Sequence, residues 1–241
     1  VYKRQPALAA DAGFTDVVVK IQRPGIAEIV EIDLAALRRI GGWLARVRVV
    51  AARVDAPALV EEFAATSRQE IDYRNEARNA ERFRAAFVRD GRVGVPEVAW
   101  ERSTSRVLTL SDVTAIKITD ADALRAAGID PRDVAAGFGR VMFEQLFTLG
   151  FFHADPHPGN VFVTPGDLDE ASGRRTWQLT FIDFGMMGEV SPQLRAGLRK
   201  VLLAVAARDG RALVSAISDV GVLLPSADTR DLERAMTALF A

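Results

Sequence analysis

Hydrophobic positions in this chain alternate between strand-like runs and helix-spaced stripes, and their order predicts an α+β fold. Val17, Val18 and Val19 form a β-branched run that ends in Lys20, and Pro24-Gly25 closes it and opens a helix. Ile29, Leu37, Ile40 and Leu44 mark the apolar side of that helix. Pro57 sits at a first-turn position where its missing N–H costs nothing. It opens a second long helix on which Phe63, Tyr73, Ala77, Ala80, Phe83 and Phe87 recur mostly three or four apart. Val95 to Val98 and Arg106 to Leu110 read as strands around a turn at Ser103-Thr104-Ser105. Asp130-Pro131 begins a helix bearing Val134, Phe138, Val141, Met142 and Leu149, which Gly150 stops. Thr180, Phe181 and Ile182 read as a buried strand, with Val161 to Val163 as its hairpin partner across a polar turn at 165–175. Ser191-Pro192 starts a helix with Leu194, Leu198, Val201, Leu202 and Val205 at helical spacing, and 226–241 reads as a final amphipathic helix. The large buried area of each ring makes Phe151-Phe152 core anchors.

Composition narrows the class. At 241 residues the chain is long enough for one two-lobed domain with its own core. A net charge of −1 gives no polyanion-binding surface, so nucleic acid is not an expected partner. The absence of cysteine excludes disulfides and thiolate chemistry. No run of apolar residues is long enough to span a bilayer, and the most apolar helix, around 133–149, is interrupted by Arg140 and Glu144. The 241 residues are therefore expected to be soluble.

The chemistry lies in two short segments, HADPHPGN at 153–160 and IDFG at 182–185. Phosphoryl transfer asks a protein to hold magnesium ions against phosphates and an acceptor in line. Asp155 followed five residues later by Asn160 has the spacing of a kinase catalytic loop, in which the Asp accepts or orients the acceptor's proton and the Asn holds a metal. Asp183, before Phe184 and Gly185, suits a metal-binding carboxylate. A proline-punctuated turn capped by Asp155 and Asn160 would give the same residues. Zinc binding by His153, Asp155 and His157 is disfavoured, because Pro156 and Pro158 prevent the helix that would align them.

A kinase reading also demands a strand-borne lysine paired with a glutamate on a following helix. Lys20 ends the valine run, although lysines are also common on exposed strand edges. Glu70, Asp72 and Glu76 are all available acids, and spacing alone does not choose among them.

VVVKIQRPGI at 17–26, QEIDYRNEARNAERF at 69–83, VPEV at 95–98, FFHADPHPGN at 151–160 and FIDFGMMGEV at 181–190 together resemble the UbiB family of atypical protein-kinase-like proteins, which support ubiquinone and related prenylquinone biosynthesis. The resemblance implies a two-lobed protein-kinase-like fold, with a truncated small lobe over 1–110 and a mainly helical large lobe over 111–241. It implies ATP and Mg2+ as cofactors. Lys20 would contact the ATP phosphates and Glu76 would be its partner. Glu70 and Asp72 would form the family's ExD element, which faces an N-terminal KxGQ extension. Asp155 would be catalytic, with Asn160 and Asp183 as magnesium ligands.

The chain enters at VYKR, which by the same resemblance is the second strand of the small lobe. The KxGQ extension and the Ala-rich nucleotide loop precede that point in the family, so the sequence reads as a fragment. Leu108, Thr109, Leu110, Ser111, Asp112 and Val113 stand where the family's hinge would be. The expected function is that of a Mg-ATP-dependent kinase or ATPase serving prenylquinone biosynthesis, with prenylquinone precursors, lipids and biosynthetic proteins as expected partners. The parent protein is expected on the cytoplasmic face of a bacterial membrane or otherwise membrane-associated. Two alternatives remain: a phosphotransferase of the aminoglycoside or choline kinase kind, and a nucleotide-binding scaffold with vestigial catalysis.

Overall fold

The computed structural model describes residues 2–6, 16–51, 54–170, 174–221 and 229–240. In chain order the elements are β1 (Tyr2–Pro6), β2 (Asp16–Ile21), α1 (Ile26–Leu44), α2 (Arg48–Ala51), α3 (Ala56–Glu70), α4 (Tyr73–Phe87), β3 (Val93–Gly94), β4 (Val107–Ser111), β5 (Ile116–Lys117), α5 (Ala121–Ala126), α6 (Pro131–Glu144), β6 (Phe151–His153), β7 (Val161–Asp169), β8 (Arg174–Phe181), β9 (Met187–Glu189), α7 (Pro192–Ala206), α8 (Gly210–Asp219) and α9 (Arg230–Phe240). They divide into two compact units, one of residues 1–134 with 155–186 and one of 135–154 with 187–241.

The first unit holds two sheets. β1, β2 and β4 are antiparallel neighbours, with Lys20 opposite Leu108. The second sheet runs β3-β8-β7-β5, with Val161 opposite Phe181 and Val163 opposite Leu179. The hairpin is longer than its sequence pattern suggests. β7 continues through a register shift between Pro165 and Leu168, and residues 171–173 of the expected turn lie outside the described residues.

The long helix expected from Pro57 is two helices. Ile71 and Asp72 interrupt it. The Asp72 side chain accepts from the Arg74 N–H at 3.0 Å and starts α4, while the Tyr73 N–H donates to the Ser105 carbonyl at 3.1 Å. Gln22 Nε2 donates to the freed Ile71 carbonyl at 2.6 Å. Local capping and two tertiary bonds thus outweigh an apolar pattern that runs straight through. α4 buries Ala77, Ala80, Phe83 and Phe87 as expected, but Phe63 on α3 is exposed. The Phe83 ring lies 4.9, 5.4 and 5.3 Å from those of Phe87, Phe181 and Phe184, in tilted arrangements favoured by ring quadrupoles.

Three further expectations change. On α1 the buried residues are Leu34 and Gly41, whereas Ile29 and Ile40 face water, because α3 covers a different stripe from the one the isoleucines mark. Residues 95–98 make only the single bridge of Val98 to Leu110, since Pro96 has no N–H for a ladder; the short strand is Val93–Gly94, parallel to β8. On α7, Gly197 and Ala204 are buried while Leu194, Leu202 and Val205 are exposed. A Cβ on Gly197 would stand 2.6 Å from the Val220 side chain, so close helix approach favours small residues there.

In the second unit α6 leads into a π-helical turn, Gln145–Leu149, closed by Gly150 in the left-handed region at φ 68°. Phe151 is buried and Phe152 half-buried, and β6 pairs with β9. The Gln145 Oε1 accepts from the His153 N–H at 2.8 Å inside this unit. Of the final predicted helix, 230–240 is helical and 226–228 lie outside the described residues.

Candidate active site

All seven candidate residues fall within the first unit. Lys20 leaves β2 beside its antiparallel partner β4, so its backbone position is fixed from both sides. Its Nζ donates to Glu76 Oε1 at 3.0 Å and Oε2 at 2.8 Å, and to Asp183 Oδ1 at 3.2 Å. The ammonium also lies 5.2 Å from the centroid of the Tyr73 ring, within cation–π range. The geometry therefore selects Glu76 from the three acids. The break at Ile71–Asp72 gives α4 a direction independent of α3, and it is α4 that delivers its first-turn glutamate to Lys20.

Glu76 is 3% exposed, and burial pushes its carboxyl above the usual range despite the opposing pull of Lys20 and the Phe184 backbone hydrogen bond. Glu70, the last residue of α3, is half-buried; burial first and the Asp183 charge second raise its carboxyl too. It feels Lys20 electrostatically but hydrogen-bonds to neither group among the described residues. Asp72 serves as the α4 cap. Burial likewise raises the Tyr73 hydroxyl.

Asp183 follows β8 at φ 60°, a left-handed conformation that aspartate tolerates better than most residues. Its neighbours hold it there. The Phe184 side chain is fully buried against Phe83, and the Phe184 carbonyl accepts from Asn79 Nδ2 at 3.0 Å. Gly185 leaves room beside the carboxylate: a Cβ there would be 3.3 Å from Asp183 Oδ1. Asn79 was not among the candidates, although its place on the buried side of α4 makes it a reachable donor.

Asp155 is exposed. Asn160 Nδ2 donates to its Oδ2 at 3.0 Å and to its backbone carbonyl at 3.1 Å, which directs the Asn160 amide oxygen away from Asp155. The Ile182 N–H donates to the Asn160 carbonyl at 2.9 Å and ties this loop to the strand end that carries Asp183. His157 accepts from the Gly159 N–H at 3.1 Å, which braces the turn between them.

A cavity of about 430 Å³ adjoins these groups, lined by Val18, Leu110, Phe162 and Ile182 on its apolar side and by Glu76 and Asp183 at its charged side. Ser111 to Thr114 form another wall. In that segment Ser111 N–H donates to Glu97 O, Asp112 N–H to Asp16 O and Thr114 N–H to the Asp112 side chain, whereas the Val113 N–H has no partner among the described residues. The pattern anticipated the charged residues but not this lining, because Val18, Phe162 and Ile182 look like ordinary strand core in one dimension.

Comparison with known proteins places these features in a family. The model described as "ABC1 atypical kinase-like domain" matches residues 8–217. The chloroplastic protein ACTIVITY OF BC1 COMPLEX KINASE 8 of Arabidopsis thaliana is 40% identical over 227 residues, covering 93% of this chain and 28% of that protein. The uncharacterized protein sll1770 of Synechocystis is 38% identical over 224 residues, covering 93% of this chain and 37% of its own length. The chain thus spans about a third of the length of these relatives. A solved complex of Mycobacterium tuberculosis Rv3197 with erythromycin matches with a TM-score of 0.67 at 22% identity, over 98% of this chain and 56% of that one. The likeness shows a shared, kinase-like fold. Among the described residues no helix is long and apolar enough to cross a membrane.

Proposed function

This chain belongs to the ABC1 atypical kinase-like family, and on that premise we propose that it carries the catalytic part of a Mg-ATP-dependent kinase or ATPase. The observation that supports this most directly is Lys20 held between Glu76 and Asp183 at 2.8 and 3.2 Å, beside a cavity with apolar walls. The donor set fits the cofactors. Asp183 offers a carboxylate and Asn160 an amide oxygen, both hard ligands of the kind magnesium prefers. Bound Mg-ATP would supply the transferable phosphoryl group with its charge partly neutralised.

The chain's own residues then divide the work. Lys20, oriented by Glu76, would be the residue that holds the phosphate oxygens of the nucleotide. The apolar walls would keep water from the base, and the Val113 N–H would be available to hold it. Asp155, kept in place by Asn160, orients the attacking hydroxyl or water and takes its proton. On this reading residues 1–110 act as the small lobe and 111–241 as the large one. Glu70 and Asp72 would form the ExD element, and the parent protein would serve ubiquinone or related prenylquinone biosynthesis in association with a membrane.

Thermal unfolding with Mg-ATP, Mg-ADP and metal-free ATP tests the reading. Ligand at a hundredfold over its dissociation constant adds about 2.7 kcal/mol of stability. A magnesium-dependent shift that Asp183→Asn abolishes is expected. An Asp183→Asn chain that binds Mg-ATP as the parent does would refute the metal assignment.

A further inference from the structure

α4 does more for the candidate site than bring Glu76 to Lys20. Glu76, Asn79 and Phe83 stand at i, i+3 and i+7, within about 60° of one another around a helix of 3.6 residues per turn. Each meets a different part of Phe184, the residue that follows Asp183. The Phe184 N–H donates to the Glu76 carboxylate, and Asn79 Nδ2 donates to the Phe184 carbonyl at 3.0 Å. The Phe83 ring lies 5.3 Å from the fully buried Phe184 ring. The peptide groups on both sides of Phe184 are thus bonded to one helix face, and the Asn79 bond closes over 105 residues of chain.

Asp183 needs such support. At φ 60° it lies in the left-handed region, where a residue with a Cβ stays only if its surroundings hold it. Within its own turn the Gly185 N–H reaches Asp183 Oδ1 only at a long 3.4 Å. The Ile182 N–H, bonded to the Asn160 carbonyl at 2.9 Å, fixes the chain before Asp183, and the two bonds from α4 fix it after. Glu76 divides itself between Lys20 and the loop. Asn79 acts on the loop through a neutral amide, so its removal leaves the charges of the site as they were.

We infer that Asn79 is a positioning residue for the metal site: by holding the Phe184 carbonyl to α4 it fixes the Asp183 carboxylate where a divalent cation meets it. It acts through Asp183 rather than on the metal, as groups that orient metal ligands commonly do. α4 thereby carries the partner of Lys20 and the loop of the metal ligand as one body, and a shift of the helix releases both together. The inference rests on the reading of Asp183 as a magnesium ligand, whereas the tie from Asn79 to the loop stands on distances alone. A bond that only satisfied a carbonyl would lower stability equally with and without metal.

The test compares the 241-residue chain with N79L, which keeps the shape of the side chain and removes its donor, with N79Q, which restores an amide, and with D183N. Hydrogen exchange reports the tie without any ligand: the Phe184 and Gly185 amides should exchange faster in N79L than in the parent, and N79Q should recover part of the protection. Magnesium titrations at fixed ADP, read by thermal shift, report the consequence. N79L should need about 10–100-fold more magnesium for the same shift, the usual range when a group supporting a metal ligand is lost, with the response to metal-free ADP unchanged. N79S, too short to reach the carbonyl, takes the place of N79L if that variant does not melt cooperatively. Unchanged exchange at Phe184 and Gly185 overturns the inference, as does an unchanged magnesium demand in N79L when D183N abolishes the magnesium response. If D183N leaves that response intact, or the parent shows none, the magnesium reading of Asp183 fails and takes the metal part of the inference with it, while hydrogen exchange still decides whether Asn79 holds the loop.

Discussion

Glu76 and Asp155 are carboxylates of one candidate site in opposite surroundings. Glu76 is 3% exposed, fixed to a strand lysine by two hydrogen bonds and backed by the Phe184 amide. Asp155 is exposed on a loop and held by a single asparagine side chain through two hydrogen bonds. Burial makes the first group expensive to break and suited to positioning. Exposure leaves the second reachable by an acceptor and of little consequence for folding.

The largest effect should come from Asp155→Asn, which on this division lowers the ATPase or transfer rate by roughly 10²–10⁴, the usual range for general-base help, with melting unchanged. A full rate would end the proton-accepting role. Glu76→Ala should do the reverse and act first on stability. Breaking a buried pair costs about 3–5 kcal/mol, and because Lys20 keeps Asp183 as a partner the lower end applies. Urea unfolding measures it, and a loss under about 1 kcal/mol would mean that the pair contributes little beyond geometry.

The same contrast should appear with pH. Burial raises the Glu76 and Glu70 carboxyls above their ordinary 4.5, so the folded chain binds these protons more tightly than the unfolded one. Their contribution to stability is complete below about pH 4.5 and is lost as pH rises through the raised values. Glu76→Gln should flatten that part of the stability profile; an unaltered slope would assign it to Glu70 or to groups elsewhere. Smallest is Asp72→Ala, expected to cost about 1 kcal/mol through loss of the α4 cap. The informative readout there is nucleotide affinity, which should fall as Glu76 loses its fixed approach to Lys20.

Much of this was legible in one dimension. The valine run gave β2, Asp130-Pro131 and Ser191-Pro192 gave helix starts, and the Asp155, Asn160 and Asp183 spacing named the groups to look for. These signals are local: dihedral preferences, missing N–H groups and short-range spacing act within a few residues. What misled was orientation. Leu34 rather than Ile29 and Ile40 is covered on α1, and Gly197 and Ala204 rather than Leu194 and Leu202 on α7, because hydrophobicity marks which residues could be buried and the neighbouring helix decides which are.

The sequence by itself determined the strand lysine, the candidate groups of the two acidic segments and the order of elements. Spacing left Glu70 and Glu76 both open and the resemblance implied Glu76; tertiary structure shows that Glu76 is the one that meets Lys20. The two lie six residues apart on a pattern that reads as one helix. Only bonds from Gln22 to Ile71 and from Tyr73 to Ser105, made across long stretches of chain, support the break that turns α4 toward the strand. A choice made by such distant partners leaves no mark in the helical spacing of the apolar residues.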